Sequence, residues 1–270
     1  MKVNGKTVLV TGAGSGMGQA ITLQLLEMGA KVVAIDLNEE SLNETVSLSS
    51  VKSDRLYLKV LNITDREAVM ALPEEIKEAF GEVDAIINNA GIIQPFINVE
   101  SLDIEKIEQV MDVNFYGTLY FVKAFLPHLK ERKEAHIVNI SSMGGFLPVP
   151  GQSIYGASKA AVKLLTEGLA SELRGTNVNV TVVFPGAIET NITTNSGLED
   201  MRASDTSSEE ANKFKPLPAR EAAKIIIDGM EKNMYRVLVG KDATFLDRFS
   251  RISPKRAGAF IAKKMASLTK

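Results

Sequence analysis

Cysteine is absent from the 270 residues, histidine occurs only twice, and no apolar run approaches the ~20 residues needed to cross a bilayer. Without cysteine there are no disulfides, thiol nucleophiles or thiolate metal ligands. His128 and His136 stand apart from carboxylate pairs at ligand spacing. His136 opens an apolar run and reads as a structural histidine, so no metal site is expected. A net charge of −2 gives no general attraction to nucleic acid. Residues 1–7 are polar and pass straight into an apolar run. That pattern predicts no cleaved leader and a cytoplasmic protein.

What is present is ordinary for one globular unit: 45% hydrophobic and 24% charged residues, with no low-complexity tract. Short apolar, β-branched runs at 7–10, 31–35, 56–60, 85–87, 136–139, 179–183 and 237–239 read as strands. Several are apolar throughout, as parallel strands covered on both faces must be. Helical patterns fill the intervals, at 17–28, 39–49, 65–80, 104–130, 155–174 and 220–233. This alternation predicts an α/β fold, a doubly wound parallel sheet of about seven strands with helices on both faces. It also predicts one catalytic unit over 1–240 and a helical extension over 241–270.

The first strand runs directly into Thr11, Gly12, Ala13, Gly14, Ser15, Gly16, Met17 and Gly18, and then into a helix with Ile21, Leu25 and Met28 on one face. Glycine lets a backbone turn tightly against a pyrophosphate, and a helix amino terminus presents unpaired N–H groups and a positive dipole end. The second strand ends in Asp36, close to the offset at which an acidic residue meets the adenosine ribose of a Rossmann-type dinucleotide site. A carboxylate accepts from a ribose 2′-hydroxyl and repels a 2′-phosphate, and neither Ser15 nor Leu37 offers a basic side chain. NAD is therefore expected over NADP.

Tyr155 and Lys159 are four residues apart, which places a phenol and an ammonium on one helix face. A tyrosine near its usual pKa of about 10 is a poor base at neutral pH, and a neighbouring cation would favour the phenolate. The residues around the pair are small, as a helix needs where its backbone approaches a ligand. Ser142 follows an apolar strand, at the carboxyl end where open α/β sheets bind ligands.

These features together resemble the short-chain dehydrogenase/reductase family, from Gly5 to about Gly240. The resemblance rests on the Thr-Gly-x-x-x-Gly-x-Gly loop, Asn88-Asn89-Ala90-Gly91, Asn114, Ser142, Tyr155, Lys159, and Pro185-Gly186 with Thr190, all in family order. It implies Tyr155 as general acid/base and Ser142 as the group orienting the substrate oxygen. Lys159 would lower the tyrosine pKa and hold the nicotinamide ribose, and Asn114 would help hold a relay water. The adenosine and phosphate side would be lined by Gly12, Ser15, Gly16, Met17, Gly18, Asp36, Leu37, Asn62, Ile63, Asn89, Ala90 and Gly91. Pro185, Gly186, Ile188 and Thr190 would lie at the nicotinamide end. Asn62 stands where the family usually has aspartate, and its amide still offers a donor and an acceptor for adenine. About thirty residues follow 236–240, where many bacterial members end, so the resemblance does not by itself imply the usual tetramer.

The polar stretch 191–218, with Glu199, Asp200, Glu209 and Glu210 beside Met201, Phe214 and Leu217, is long for a connection, and the family resemblance implies that it is the substrate lid. Expected substrate contacts are Gln94, Phe96, Met143, Ser142, Gln152 and Tyr155, with Gly144, Phe146 and Ile188 nearby. This wall has no convergent Arg or Lys, which points to an uncharged, moderately apolar alcohol or ketone. Gly144 and Gly145 leave two readings open, room for a bulky ring or a simple turn. The tail is basic, and Phe245, Leu246, Phe249 and Ile252, then Ala257, Phe260, Ile261 and Met265, recur at helical spacing around Ser253-Pro254. Two amphipathic helices are expected, docked on the body or on a partner subunit, with an anionic membrane surface as the lesser alternative. The whole reads as an NAD-dependent alcohol dehydrogenase or carbonyl reductase acting as a homodimer or homotetramer. The alternatives are an NADPH-dependent reductase and a non-catalytic NAD-binding regulator.

Overall fold

A computed structural model of the chain describes residues 1–49, 53–190, 192–198 and 216–265. Seven strands, β1 (Thr7–Thr11), β2 (Lys31–Asp36), β3 (Leu56–Val60), β4 (Ala85–Asn88), β5 (Ala135–Ile140), β6 (Val178–Pro185) and β7 (Arg236–Val239), form one sheet in the order β3-β2-β1-β4-β5-β6-β7. Every pairing is parallel. Helices α1 (Gly16–Glu27), α2 (Glu39–Leu48) and α8 (Ala219–Glu231) bury Ile21, Leu25, Leu42, Ile226 and Met230 against one face. Helices α3 (Arg66–Ala79), α5 (Thr118–Lys130) and α6 (Ser153–Glu172) bury Leu72, Ile76, Phe121, Phe125 and Leu169 against the other.

The period-2 geometry of a strand divides its side chains between these two cores. Val8 and Val10 enter one while Leu9 enters the other, and Val32 and Ala34 alternate likewise with Val33 and Ile35. Chain order reverses between β1 and β4, and this reversal opens a crevice at the strands' carboxyl ends. A buried polar ladder runs below that crevice. Asn88 Nδ2 donates to Asn139 Oδ1 at 2.8 Å across the β4–β5 register, and Asn139 Nδ2 donates to Thr166 Oγ1 of α6 at 2.9 Å.

The single helix expected over 104–130 is divided. Helix α4 (Ile104–Met111) passes into a π turn (Asp112–Gly117) before α5. Asn114 lies in that turn, its side chain fully buried and bonded away from the helix, and such bulges commonly mark functional positions.

After a short α7 (Ile192–Asn195) and α8, two further helices follow β7: α9 (Lys241–Ile252) and α10 (Pro254–Lys264). Leu246, Ala257 and Ile261 close a small third core over Leu147, joined by Met143, Phe146, Val149, Phe249 and Phe260. Ile252, expected on the same stripe, is instead 84% exposed at the corner between the helices, because the stripe ends one turn earlier at Phe249. The Arg236 guanidinium stacks 4.0 Å from the Phe184 ring and pairs with Asp247 of α9 at 2.5 Å and with Glu167 of α6 at 3.5 Å.

Candidate active site

The crevice is a cleft of about 770 Å³. It is walled by the loop after β1, the ends of β2 to β6, and the segment 192–198. At one end stands Asp36. Its Oδ2 accepts from Gly14 N at 2.8 Å and its Oδ1 from Asn38 N at 3.0 Å, so two backbone donors fix a carboxylate on the rim. Asn62 lies near it, exposed, with Oδ1 engaged by Thr64 N and Oγ1 at 3.0 and 2.9 Å. Gly12, Ser15, Gly16, Met17, Leu37, Ile63, Ala90, Gly91, Pro185, Gly186, Ile188 and Thr190 all line the cleft, as do Phe96, Ser142, Tyr155 and Lys159.

Other expected contacts are placed differently. Gly18 lies behind the loop. A Cβ there would sit 1.9 Å from Gly12 O, so the residue is small to let α1 pack against the strand end. Asn89 borders the cleft, but its amide donates to Thr11 O at 3.0 Å while its N–H donates to Thr11 Oγ1 at 3.0 Å; it pins the glycine loop to β4. Gln94 and Gln152, expected on the substrate wall, are buried and absent from the lining. Gln152 Nε2 donates to Gln94 O at 2.7 Å. Met143 turns toward the third core beneath the C-terminal helices. The Gly144-Gly145 ambiguity resolves at Gly145, whose Cβ would lie 2.8 Å from Lys159 O; the glycine brings the turn against α6.

At the far end, Tyr155 in the first turn of α6 hydrogen-bonds Ser142. Ser142 Oγ also accepts from Gly144 N at 3.1 Å, which orients the hydroxyl. Burial pushes the Tyr155 phenol above its ordinary pKa, and the Ser142 bond pulls it back only in part. Lys159, one turn on, donates from Nζ to Ile140 O at 3.1 Å, and burial lowers its pKa to about 8. Its Nζ lies 6.0 Å from the Tyr155 ring centre. Lys159 is not among the groups that shift the Tyr155 phenol in this arrangement, where burial dominates and the Lys159 Nζ is held by a strand-end carbonyl.

Asn114 does not reach the cleft. Its Oδ1 accepts from Ile92 N at 2.9 Å and its Nδ2 donates to Ile92 O and Ser158 Oγ at 3.0 and 2.9 Å. Both amide hydrogens are used, so the side chain holds the loop after β4 to α6. A Cβ on Gly91 would lie 3.0 Å from both Asn114 Oδ1 and Lys159 Nζ, so glycine is what lets the loop after β4 approach both side chains this closely.

The first part of the expected lid crosses the opening. Asn195 Nδ2 donates to Ser15 Oγ at 2.7 Å, and Ile93 N donates to Ser196 Oγ at 3.0 Å. Its stem is closed where Glu189 N donates to Leu217 O and Leu217 N to Ala187 O, both at 2.9 Å. Glu199, Asp200, Met201, Glu209, Glu210 and Phe214 lie outside the described residues. Thr193 and Asn195 are lining residues that the sequence did not single out, and so are Gln109 and Val113 near the π turn. Nothing local marks them, since they reach the cleft only through tertiary packing.

Among the described residues no group of three or more His, Asp or Glu could hold a metal ion, and no helix is long and apolar enough to cross a membrane. Known proteins are similar to this chain in sequence and in fold. A family model described as short chain dehydrogenase matches residues 6–200. SadH of Mycobacterium tuberculosis, which carries the name of an oxidoreductase, is 40% identical over 256 residues, covering 92% of this chain and 91% of its own. A short-chain dehydrogenase/reductase of Burkholderia phymatum, solved with NAD, superposes with a TM-score of 0.77 at 28% identity, over 88% of this chain and 90% of its own. A short-chain dehydrogenase of Burkholderia cenocepacia, solved with NADP, reaches 0.79 at 28% identity, over 97% and 99%. Sequence and architecture agree: the chain belongs to the short-chain dehydrogenase/reductase family of oxidoreductases.

Proposed function

We propose that this protein moves hydride between NAD(H) and an uncharged, moderately apolar secondary alcohol or ketone, with Tyr155 as general acid/base. The observation that carries the reading is the placement of Tyr155, hydrogen-bonded to Ser142, with Lys159 at one end of a cleft whose other end holds Asp36. A dinucleotide suits this donor set. Asp36 keeps carboxylate lone pairs for ribose hydroxyls, the loop before α1 offers backbone N–H groups to a pyrophosphate, and Lys159, beside Gly91 in the lining, offers an Nζ donor to a second ribose. Lys159 is the sole Lys or Arg among the described lining residues, so no cation near Asp36 would welcome a 2′-phosphate; this favours NAD over NADP.

When bound, NAD supplies the acceptor or donor of hydride. The chain's own residues handle the proton. In reduction, the neutral phenol of Tyr155 donates to the carbonyl oxygen while the Ser142 hydroxyl holds that oxygen. In oxidation, the phenolate takes the hydroxyl proton. The Lys159 ammonium would balance the charge left on Tyr155. Asn114 serves this site by fixing the loop at Ile92 against α6. Residues 191–218 act as a substrate lid, supported by the two bonds that already carry 195 and 196 across the cleft. The cytoplasm is the proposed compartment, and a homodimer or homotetramer the proposed assembly. Exposed apolar Ile104, Tyr116 and Leu164, on the packed α4, π turn and α6, suit a subunit contact.

Absorbance at 340 nm, with aliphatic, cyclic, steroid and polyol alcohols offered with NAD and then NADP, tests the reading. Reduction of NAD by one substrate class is expected. Silence across the panel despite demonstrated NAD binding would replace it with the non-catalytic reading, and faster turnover with NADP would reverse the cofactor assignment.

A further inference from the structure

Helix α6 begins at Ser153, and the residue before it, Gln152, makes no side-chain cap. The first turn of a helix leaves N–H groups without intrahelical partners, and a buried one must find an acceptor elsewhere. Here the acceptor arrives from a distant part of the chain. Gln94 Oε1 accepts from Ile154 N at 2.8 Å and from Tyr155 N at 3.0 Å, 60 and 61 positions further on. Gln94 Nε2 donates to Gly151 O at 3.0 Å, and Gln152 Nε2 returns a bond to Gln94 O at 2.7 Å. Gln94 has no exposed surface and does not line the cleft. Its amide therefore faces no substrate: Oε1 binds the first turn of α6, which carries Tyr155, and Nε2 binds the backbone just before it.

The segment 89–94 touches each part of the site in turn. Asn89 holds the glycine loop through Thr11, Ile92 holds Asn114, and Gln94 holds the first turn of α6. We propose that Gln94 is the positioning residue for Tyr155: by capping α6 from the segment after β4, it fixes where the phenol stands relative to Ser142. This rests on the reading of Tyr155 as the acid/base. It assigns Gln94 to the proton-transfer half of the site, separately from the dinucleotide half that Asn89 secures.

Gln94→Met keeps the length and removes the amide. Its kcat on the best substrate of the panel is expected to fall about 10- to 100-fold, the size of effect a displaced catalytic group produces, with NAD affinity unchanged. Gln94→Glu, whose carboxyl oxygen can still accept from both N–H groups, is expected to recover part of that loss. Wild-type kcat in Gln94→Met, a joint loss of kcat and NAD binding, or no recovery in Gln94→Glu would each overturn the proposal. A second readout needs no turnover. Ultraviolet titration of the wild type minus Tyr155→Phe isolates one phenol among five tyrosines. In the Gln94→Met background that phenol is expected to titrate at higher pH, having lost its fixed bond to Ser142. An unmoved curve overturns the positioning role. If the curve moves while the wild type turns over no alcohol, the function reading fails and the role of Gln94 in placing Tyr155 stands.

Discussion

The Gly14 N–H donates to Asp36 Oδ2 at 2.8 Å, so the glycine loop after β1 and the carboxylate at the end of β2 are one hydrogen-bonded unit. Asp36→Ala removes both the acceptor for a ribose hydroxyl and the tie that holds the loop. NAD affinity is expected to drop about 10- to 100-fold, the range for a hydrogen bond to a charged group, and preference over NADP to shrink with it. NADH and NADPH fluorescence titrations check both. An unchanged ratio would remove Asp36 from the discrimination.

Tyr155→Phe is expected to lower kcat by about 100-fold or more, as loss of a general acid/base does, while NAD binding persists. Burial holds the phenol above its ordinary pKa, so the neutral form dominates at pH 7. Alcohol oxidation, which needs the phenolate, is expected to rise with pH through the alkaline range. Carbonyl reduction, which needs the phenol, is expected to fall there. Opposite slopes in the two directions are the readout.

His136 accounts for a second pH effect, on stability. Thr181 Oγ1 donates to Met234 O at 2.6 Å, so its oxygen accepts from His136 Nε2 at 2.8 Å and Nδ1 is left without a partner. Protonating Nδ1 would bury an unpaired N–H and a charge, and burial lowers the histidine pKa to about 3. Between pH 6.5 and that value the unfolded chain binds a proton that the folded chain refuses. Stability therefore falls as pH falls, by up to about 1.4 kcal/mol per pH unit. Melting curves from pH 7 to pH 4 should show a decline that His136→Gln flattens.

Asp247 is 6% exposed and bonds Arg236 at 2.5 Å and Arg251 at 3.1 Å. Asp247→Ala leaves the Arg236 guanidinium largely buried with Glu167 as its remaining carboxylate partner, and is expected to destabilise the fold by about 3 kcal/mol. Adding Arg236→Met removes the stranded charge and should restore part of that loss. Urea unfolding of the single and double variants measures the coupling. A double variant no more stable than Asp247→Ala would show that stacking on Phe184, and not charge, sets the contribution of Arg236.

The sheet was legible because several strands are apolar on both faces and helical stripes fill the intervals. The cofactor end was legible because strand, glycine turn and acidic strand end follow one another within a few dozen residues. What was hidden depends on contacts between distant segments. The π turn at Asn114 comes from bonds to Ile92, and no periodicity in 104–130 announces it. Gln152, three residues before Tyr155, reads in the sequence as a polar substrate contact, and Gln94 as part of the same wall. Only the fold reveals that they grip each other and the helix. The partner of Lys159 was hidden for a similar reason: four-residue spacing puts it on one face with Tyr155, but the Ile140 carbonyl that takes its Nζ belongs to another element.

The small core joining Leu147 to Leu246, Ala257 and Ile261 has a consequence in time. A chain emerges from synthesis amino end first. The turn after Ser142 is made long before its cover, and the 185–187 turn likewise precedes Asp242 of α9, whose Oδ2 accepts the Ala187 N–H at 2.7 Å. Until α9 and α10 arrive, the face holding Leu147 is open to water and the 185–187 turn lacks that acceptor. The glycine loop and the end of β2 can form early in the life of each molecule, whereas the 185–187 turn and the support behind Ser142 wait for α9 and α10.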